Sequence, residues 1–187
     1  MGQRTFIAIN LPGYAKNKLA GYQERWPELP CRWTKKENLH ITLEFLGYLT
    51  DEELVEICEK TDKMASEKKA FTVRLDKICY GPGNKKPMSS MNYPNSSLRS
   101  PNSSTEDRAP KMVWATGEKI KELNIHPHVT LGRIKAWQFK QMEPGQRPEI
   151  NEDIDLVFDV DSIEIMESKL ERGGPKYTTL QLCPLKD

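Results

Sequence analysis

Apolar and polar positions alternate in short runs along most of this chain, and two of the runs are alike. In Leu39-His40-Ile41-Thr42-Leu43, positions 39, 41 and 43 are aliphatic and positions 40 and 42 are His and Thr; Pro127-His128-Val129-Thr130-Leu131 repeats the pattern. A period of two predicts strands, and residues i and i+2 of a strand share one face. Each imidazole is therefore expected beside a hydroxyl, with aliphatic residues packed behind.

The same pattern predicts further strands over 4–11, 71–80, 111–117, 156–160, 162–169 and 177–183, with an extended piece at 32–34 and the second motif strand opened by His126. Helical spacing predicts a short helix over 15–25. A second helix runs to about Lys68, opened by Thr50-Asp51-Glu52-Glu53, in which Thr50 and Glu53 can form a capping box. From Gly81 to Pro110, 18 of 30 residues are Gly, Pro, Ser or Asn, which predicts a flexible Ser/Asn/Pro-rich loop over 81–110. Residues 118–124 have room for two helical turns at most, and 135–151 reads as loop with a short turn. Only ten residues separate Gly117 from His128, too few for a parallel crossover with a helix in it. The expected fold class is α+β: two similar lobes of mainly antiparallel strands with helices packed outside. One His-x-Thr strand from each lobe would line the cleft between them, within a single bilobal domain spanning 1–187.

Composition narrows the function. The 187 residues carry 28 basic and 27 acidic side chains, so bulk charge will not hold nucleic acid and any RNA contact must be local. Cys31, Cys58, Cys79 and Cys183 have no paired spacing and read as small buried hydrophobes. With no secretory leader and no apolar run of membrane length, the expectation is a cytoplasmic, monomeric protein that meets no membrane.

Two facing histidines suit acid–base transfer at phosphorus. One neutral imidazole takes a proton from the attacking oxygen and an imidazolium gives one to the leaving oxygen, with no cofactor and no metal. Thr42 and Thr130 could donate to the non-bridging phosphate oxygens. Arg133, two residues beyond the second motif strand's Leu131, is a further phosphate-binding candidate, and Lys35 and Lys36 flank the first motif. Trp33, Phe45, Tyr80 and Trp114 could stack bases, although aromatic residues on strands are more often core; His126 could contact RNA at the rim. Two rivals follow from the same residues. His126 and His128 with His40 could form a three-histidine zinc site with an open water position. A binding module for RNA ends or nucleotides could keep the cleft without turnover.

The residues Phe6-Ile7-Ala8, Arg32-Trp33, Glu37-Asn38-Leu39-His40-Ile41-Thr42-Leu43 with Phe45-Leu46-Gly47, Val113-Trp114-Ala115, Pro127 to Arg133, the strand 163–168, Gly174 and Tyr177 resemble the two-histidine phosphoesterases. Among these the likeness is to the RNA 2′,3′-cyclic phosphodiesterases, also called 2′-5′ RNA ligases. The resemblance implies a bilobal fold and hydrolysis of RNA 2′,3′-cyclic phosphate ends to a 2′-phosphate, with reversible 2′-5′ ligation in some members. It implies His40 as proton donor and His128 as proton acceptor. Substrates in the form of small cyclic or 2′-5′-linked nucleotides fit the same motifs. The middle departs from the family pattern, because the long connector precedes the Trp114 strand and no long helix can follow it.

Overall fold

A computed structural model describes residues 2–81 and 110–186. The flexible loop expected over 81–110 lies, except for its first and last residues, outside the described residues. Among the described residues nine strands form one sheet, β1 (Gln3–Asn10), β2 (Cys31–Trp33), β3 (His40–Leu49), β4 (Phe71–Gly81), β5 (Met112–Gly117), β6 (His128–Ile134), β7 (Asn151–Val160), β8 (Ser162–Glu171) and β9 (Gly174–Pro184). The order is β7-β4-β5-β6-β3-β1-β8-β9, with β2 also paired to β6. Every strand pairing is antiparallel.

The sheet divides at one place. Strands β3 and β6 share the single ladder pair Ile41–Val129, while the ladders on either side of this seam run through four residue pairs or more. One lobe is β3-β1-β8-β9 and the other is β6-β5-β4-β7. In both, the motif strand lies innermost.

Strand alternation fixes which face is covered. Ile154, Leu156, Phe158 and Val160 of β7 are buried and the residues between them face out, and Phe71, Val73 and Leu75 do the same in β4. Helix α1 (Gly13–Gln23) crosses the β6–β7 lobe. Its Tyr14 and Lys18 donate to the Val157 and Asp155 carbonyls on the free edge of β7, and Gln23 donates to Thr34 and Leu131. These bonds occupy an edge that would otherwise be open to pairing. Helix α2 (Asp51–Ser66) lies on the other lobe against β9, β8 and β3. Its start is fixed by the predicted capping box, Glu53 N to Thr50 Oγ1 at 3.2 Å and Thr50 N to Glu53 Oε2 at 2.8 Å. The core lies between these helices and the sheet, with Ala15, Leu19 and Ala65 meeting Ile9, Ile41, Val113 and Val129. No helix among the described residues is long and apolar enough to cross a membrane.

The second half of the chain repeats the first in shortened form. After β3 comes α2 and then β4; after β6 comes α3 (Ala136–Gln141) and then β7. Helix α3 falls where the sequence predicts loop, because six residues are too few to show a helical period. Between β5 and β6, where two helical turns were the upper bound, the chain makes a tight turn closed by an Ile120–Ile125 bridge, with Asn124 in the left-handed region at φ 56°. The two strands are antiparallel neighbours, so ten residues suffice.

The seam and the cap give different expectations under urea denaturation. Ile41→Ala removes a fully buried side chain at the junction and is expected to cost about 2–5 kcal/mol. Thr50→Ala removes a cap at an exposed helix end and is expected to cost about 1 kcal/mol.

Candidate active site

The pairing of Ile41 with Val129 places both side chains on the helix-covered face, where neither is exposed to solvent. One residue to either side, the side chains turn to the opposite face. His40 then stands across from Thr130 and Thr42 across from His128. The two motifs form one four-residue group with local two-fold symmetry, each imidazole beside a threonine of its own strand and another across the seam.

His40 is held at both ring nitrogens. Nδ1 lies 2.7 Å from the Asn38 carbonyl and Nε2 lies 2.9 Å from Thr42 Oγ1. A carbonyl only accepts, so Nδ1 carries the proton, and Nε2 of the neutral ring accepts from the Thr42 hydroxyl. Asn38 is itself buried, and its side chain donates to the Pro175 carbonyl of β9 at 2.8 Å. The orientation of His40 thus depends on the far side of its lobe. Phe6 and Tyr177 enclose the ring, each with its centroid 5.1 Å away, Tyr177 edge-on.

His128 is held in a parallel manner. The backbone of His126, two residues before it, raises its pKa as the Asn38 carbonyl does that of His40. The Trp114 indole lies over it at 4.4 Å, tilted by 31°. Gly81 makes room for that indole, because a Cβ there would fall 2.2 Å from Trp114 Cδ2. Thr116, opposite His128 on β5, donates to the Pro127 carbonyl at 3.0 Å and fixes the entry to β6.

Burial lowers the pKa of both imidazoles. For His40 the Asn38 carbonyl opposes that effect, while the nearby Lys16 and His128 add to it. For His128 the His126 backbone opposes it. Lys16 of α1 donates to the Glu37 carbonyl at 3.1 Å, in the turn that carries Asn38. Burial lowers its pKa as well, against the pull of Glu164 and Glu37.

The other expected residues divide. The ladder between β5 and β6 skips Leu131, pairing Trp114 with Thr130 and Val113 with Gly132. This bulge turns Leu131 and Gly132 both to the core and returns Arg133 to the motif face. Phe45 is 70% exposed on that face, 6.2 Å from Phe6. Trp33 points the other way, stacked on Trp26 at 6.5 Å against the core. Tyr80 also packs there, edge-on to Phe139 with its hydroxyl on the Pro148 carbonyl. Lys36 is bonded to Asn17 at 3.0 Å, and Lys35 reaches toward Gly173. His126 is exposed and precedes β6, so it does not share a strand face with His128; its backbone, not its ring, serves the group. Among the described residues no three His, Cys, Asp or Glu side chains converge as they would around a metal ion.

Asn38, Phe6, Tyr177 and Lys16 are absent from the sequence-derived site, and Trp114 entered it only as a possible base stacker. Asn38 sits two residues before His40 and could have been found by asking what holds Nδ1. Lys16 has no signal in the sequence, since α1 reaches the motif only through the fold.

Known proteins share this arrangement of strands. Residues 9–88, which contain the first motif, match a family described as LigT like Phosphoesterase. The chain is 29% identical over 198 residues to a protein of Methanocaldococcus jannaschii named RNA 2′,3′-cyclic phosphodiesterase, covering 95% of this chain and 98% of the relative. A Thermotoga maritima protein of the same name is 28% identical, covering 96% and 94%. Two solved structures share the fold. TT0787 of Thermus thermophilus aligns with a TM-score of 0.72 at 21% identity, covering 98% of each chain. E. coli LigT complexed with phosphate aligns at 0.67 and 22%, covering 100% of this chain and 99% of that one. With both motifs on a sheet of this order, the chain is similar to the LigT-like phosphoesterases over the segment that holds its first motif, and to proteins named RNA 2′,3′-cyclic phosphodiesterase over nearly its whole length.

Proposed function

We propose that this protein hydrolyses the 2′,3′-cyclic phosphate ends of RNA to 2′-phosphates, as a cytoplasmic monomer, with His40 as proton donor and His128 as proton acceptor. The observation that carries the reading is the symmetric group about the Ile41–Val129 pair: two imidazoles facing across the seam, each beside a threonine of its own strand, with His40 anchored to the Asn38 carbonyl. The names of the relatives support the substrate class.

In the forward step water attacks phosphorus in line with the bond to the 3′-oxygen. His128 takes the proton from the water as the new P–O bond forms. The bond to the 3′-oxygen breaks, and His40 delivers its proton there, leaving a 3′-hydroxyl and a 2′-phosphate. Exchange with solvent then restores both rings. Thr42 and Thr130 donate to the non-bridging oxygens, where charge increases in the transition state, and Arg133, farther along β6, adds positive charge for phosphate on the same face. If a 5′-hydroxyl replaces water, the same proton transfers make a 2′-5′ linkage, and their reversal cleaves it.

The lowered imidazole pKa values suit a site built for an anion. In the free protein both rings favour the neutral form, which the base requires. A bound phosphodiester anion favours imidazolium, which the acid requires.

Hydrolysis of a 2′,3′-cyclic phosphate-ended oligoribonucleotide with EDTA present is expected to proceed and yield the 2′-phosphate. His40→Ala or His128→Ala is each expected to lower kcat/KM by about 10²–10⁴. Activity that EDTA abolishes points instead to a metal, and binding without turnover points to a recognition module.

The pH profile tests the roles. At low pH His128 is protonated and the base is lost; at high pH His40 is neutral and the acid is lost. Because both groups lie below the ordinary imidazole value of 6.5 in the free protein, kcat/KM is expected to form a bell with its maximum on the acid side of neutrality. The kcat profile, which reports the complex with the anion, is expected at higher pH. A single-limbed kcat/KM profile contradicts the paired mechanism.

A further inference from the structure

Strands β6 and β2 bring basic residues together on the motif face. The edge of β6 is filled first by β3, at Val129, and then by β2, which pairs Trp33 with Gly132, Arg32 with Arg133 and Cys31 with Ile134. Cys31 and Trp33 pack against the core, so Arg32 faces the other way, directly opposite Arg133. Like charges opposed across a ladder repel. Among the described residues Arg4, Arg32, Lys35 and Arg133 form no ion pair.

The first lobe is shaped to receive this charge. The Arg32 head lies on the turn between β8 and β9, where a Cβ on Gly174 would fall 2.7 Å from Nη2. Gly174 is buried with φ at +115°, a backbone conformation that side chains rarely adopt. Lys35 Nζ lies at the neighbouring Gly173, 3.5 Å from where its Cβ would be. Arg133 and Arg4 act electrostatically on Tyr177, the residue edge-on to His40. A trail of cations therefore leads from the histidine pair past Tyr177 to the β8–β9 turn, in a chain whose net charge is only +1.

Arg32 is too far along to share the phosphate held by the motifs. The Arg32–Arg133 pair lies three residues along β6 from Thr130, a distance of roughly 10 Å. A guanidinium is suited to bidentate contact with a phosphate, so Arg32 can take a second phosphate of a strand whose end the motifs hold. We infer that Arg32, together with Lys35 and Arg133, holds an internal phosphate of an RNA strand whose cyclic end sits between His40 and His128. The substrate class is then an oligoribonucleotide end in preference to a free 2′,3′-cyclic mononucleotide. This rests on the activity proposed above.

The test compares wild type, Arg32→Gln and Arg32→Lys on a 2′,3′-cyclic mononucleotide and on an oligoribonucleotide with the same terminal nucleotide. Binding of a fluorescent oligoribonucleotide is followed in parallel by anisotropy across a salt series. Arg32→Gln is expected to lower kcat/KM for the oligonucleotide by roughly tenfold more than for the mononucleotide, the effect of removing a charge-assisted hydrogen bond. Its binding should depend less steeply on salt, by about 0.7 in the log–log slope for one fewer phosphate neutralised on a single strand. Arg32→Lys should recover most of both effects, which separates charge from packing. Equal losses on the two substrates, or an unchanged affinity and salt slope, overturn the inference. A wild type that hydrolyses neither substrate removes the proposed activity, while the binding series still decides the role of Arg32.

Discussion

Everything in the site depends on the single ladder pair between Ile41 and Val129. Antiparallel pairing of these two residues, both buried by the helices behind the sheet, fixes the register of the motif strands to within one residue. Because strand side chains alternate, a slip of one residue in either motif strand would turn its His and Thr into the core. The aliphatic residues between each His and Thr are therefore what positions the polar group. The seam is narrow because β2 takes the rest of that edge of β6, at Gly132, Arg133 and Ile134.

Around this seam, each histidine takes its orientation from backbone and its environment from aromatic rings. The carbonyl of Asn38 and the backbone of His126 stand two residues before the imidazoles they serve. Phe6 and Tyr177 on one side and Trp114 on the other exclude water and lower both pKa values, so desolvation is concentrated at the two groups that must exchange protons. Lys16 connects this electrostatics to α1, a helix whose body covers the other lobe. The lobes are thus joined by helix crossing as well as by the ladder, and the seam is supported from behind.

The chain reaches this symmetric site with unequal halves. A sixteen-residue helix follows the first motif and a six-residue helix follows the second. The second lobe keeps its four strands and motif because hairpin connections between antiparallel neighbours can be short. The 118–127 turn joins β5 and β6 directly as neighbours in the sheet. Only the strands adjoining the seam have to be alike for the two motifs to face each other.

The sequence by itself determined the motif strands, the capping box of α2, the antiparallel α+β class and the pairing of His40 with Thr42 and His128 with Thr130. All of these follow from spacing within a few residues of chain, where period two or period 3.6 acts directly. The tertiary structure alone decided that Trp33 faces the core while Phe45 stays exposed, that a bulge at Leu131 returns Arg133 to the motif face, and that Asn38, Tyr177 and Lys16 gather at His40. It also decided that Arg32 meets Arg133. Most of these contacts join residues tens to more than a hundred positions apart, and a bulge inverts every face assignment beyond it. Local periodicity contains no information about either, because both are set by which strands pair and in what register.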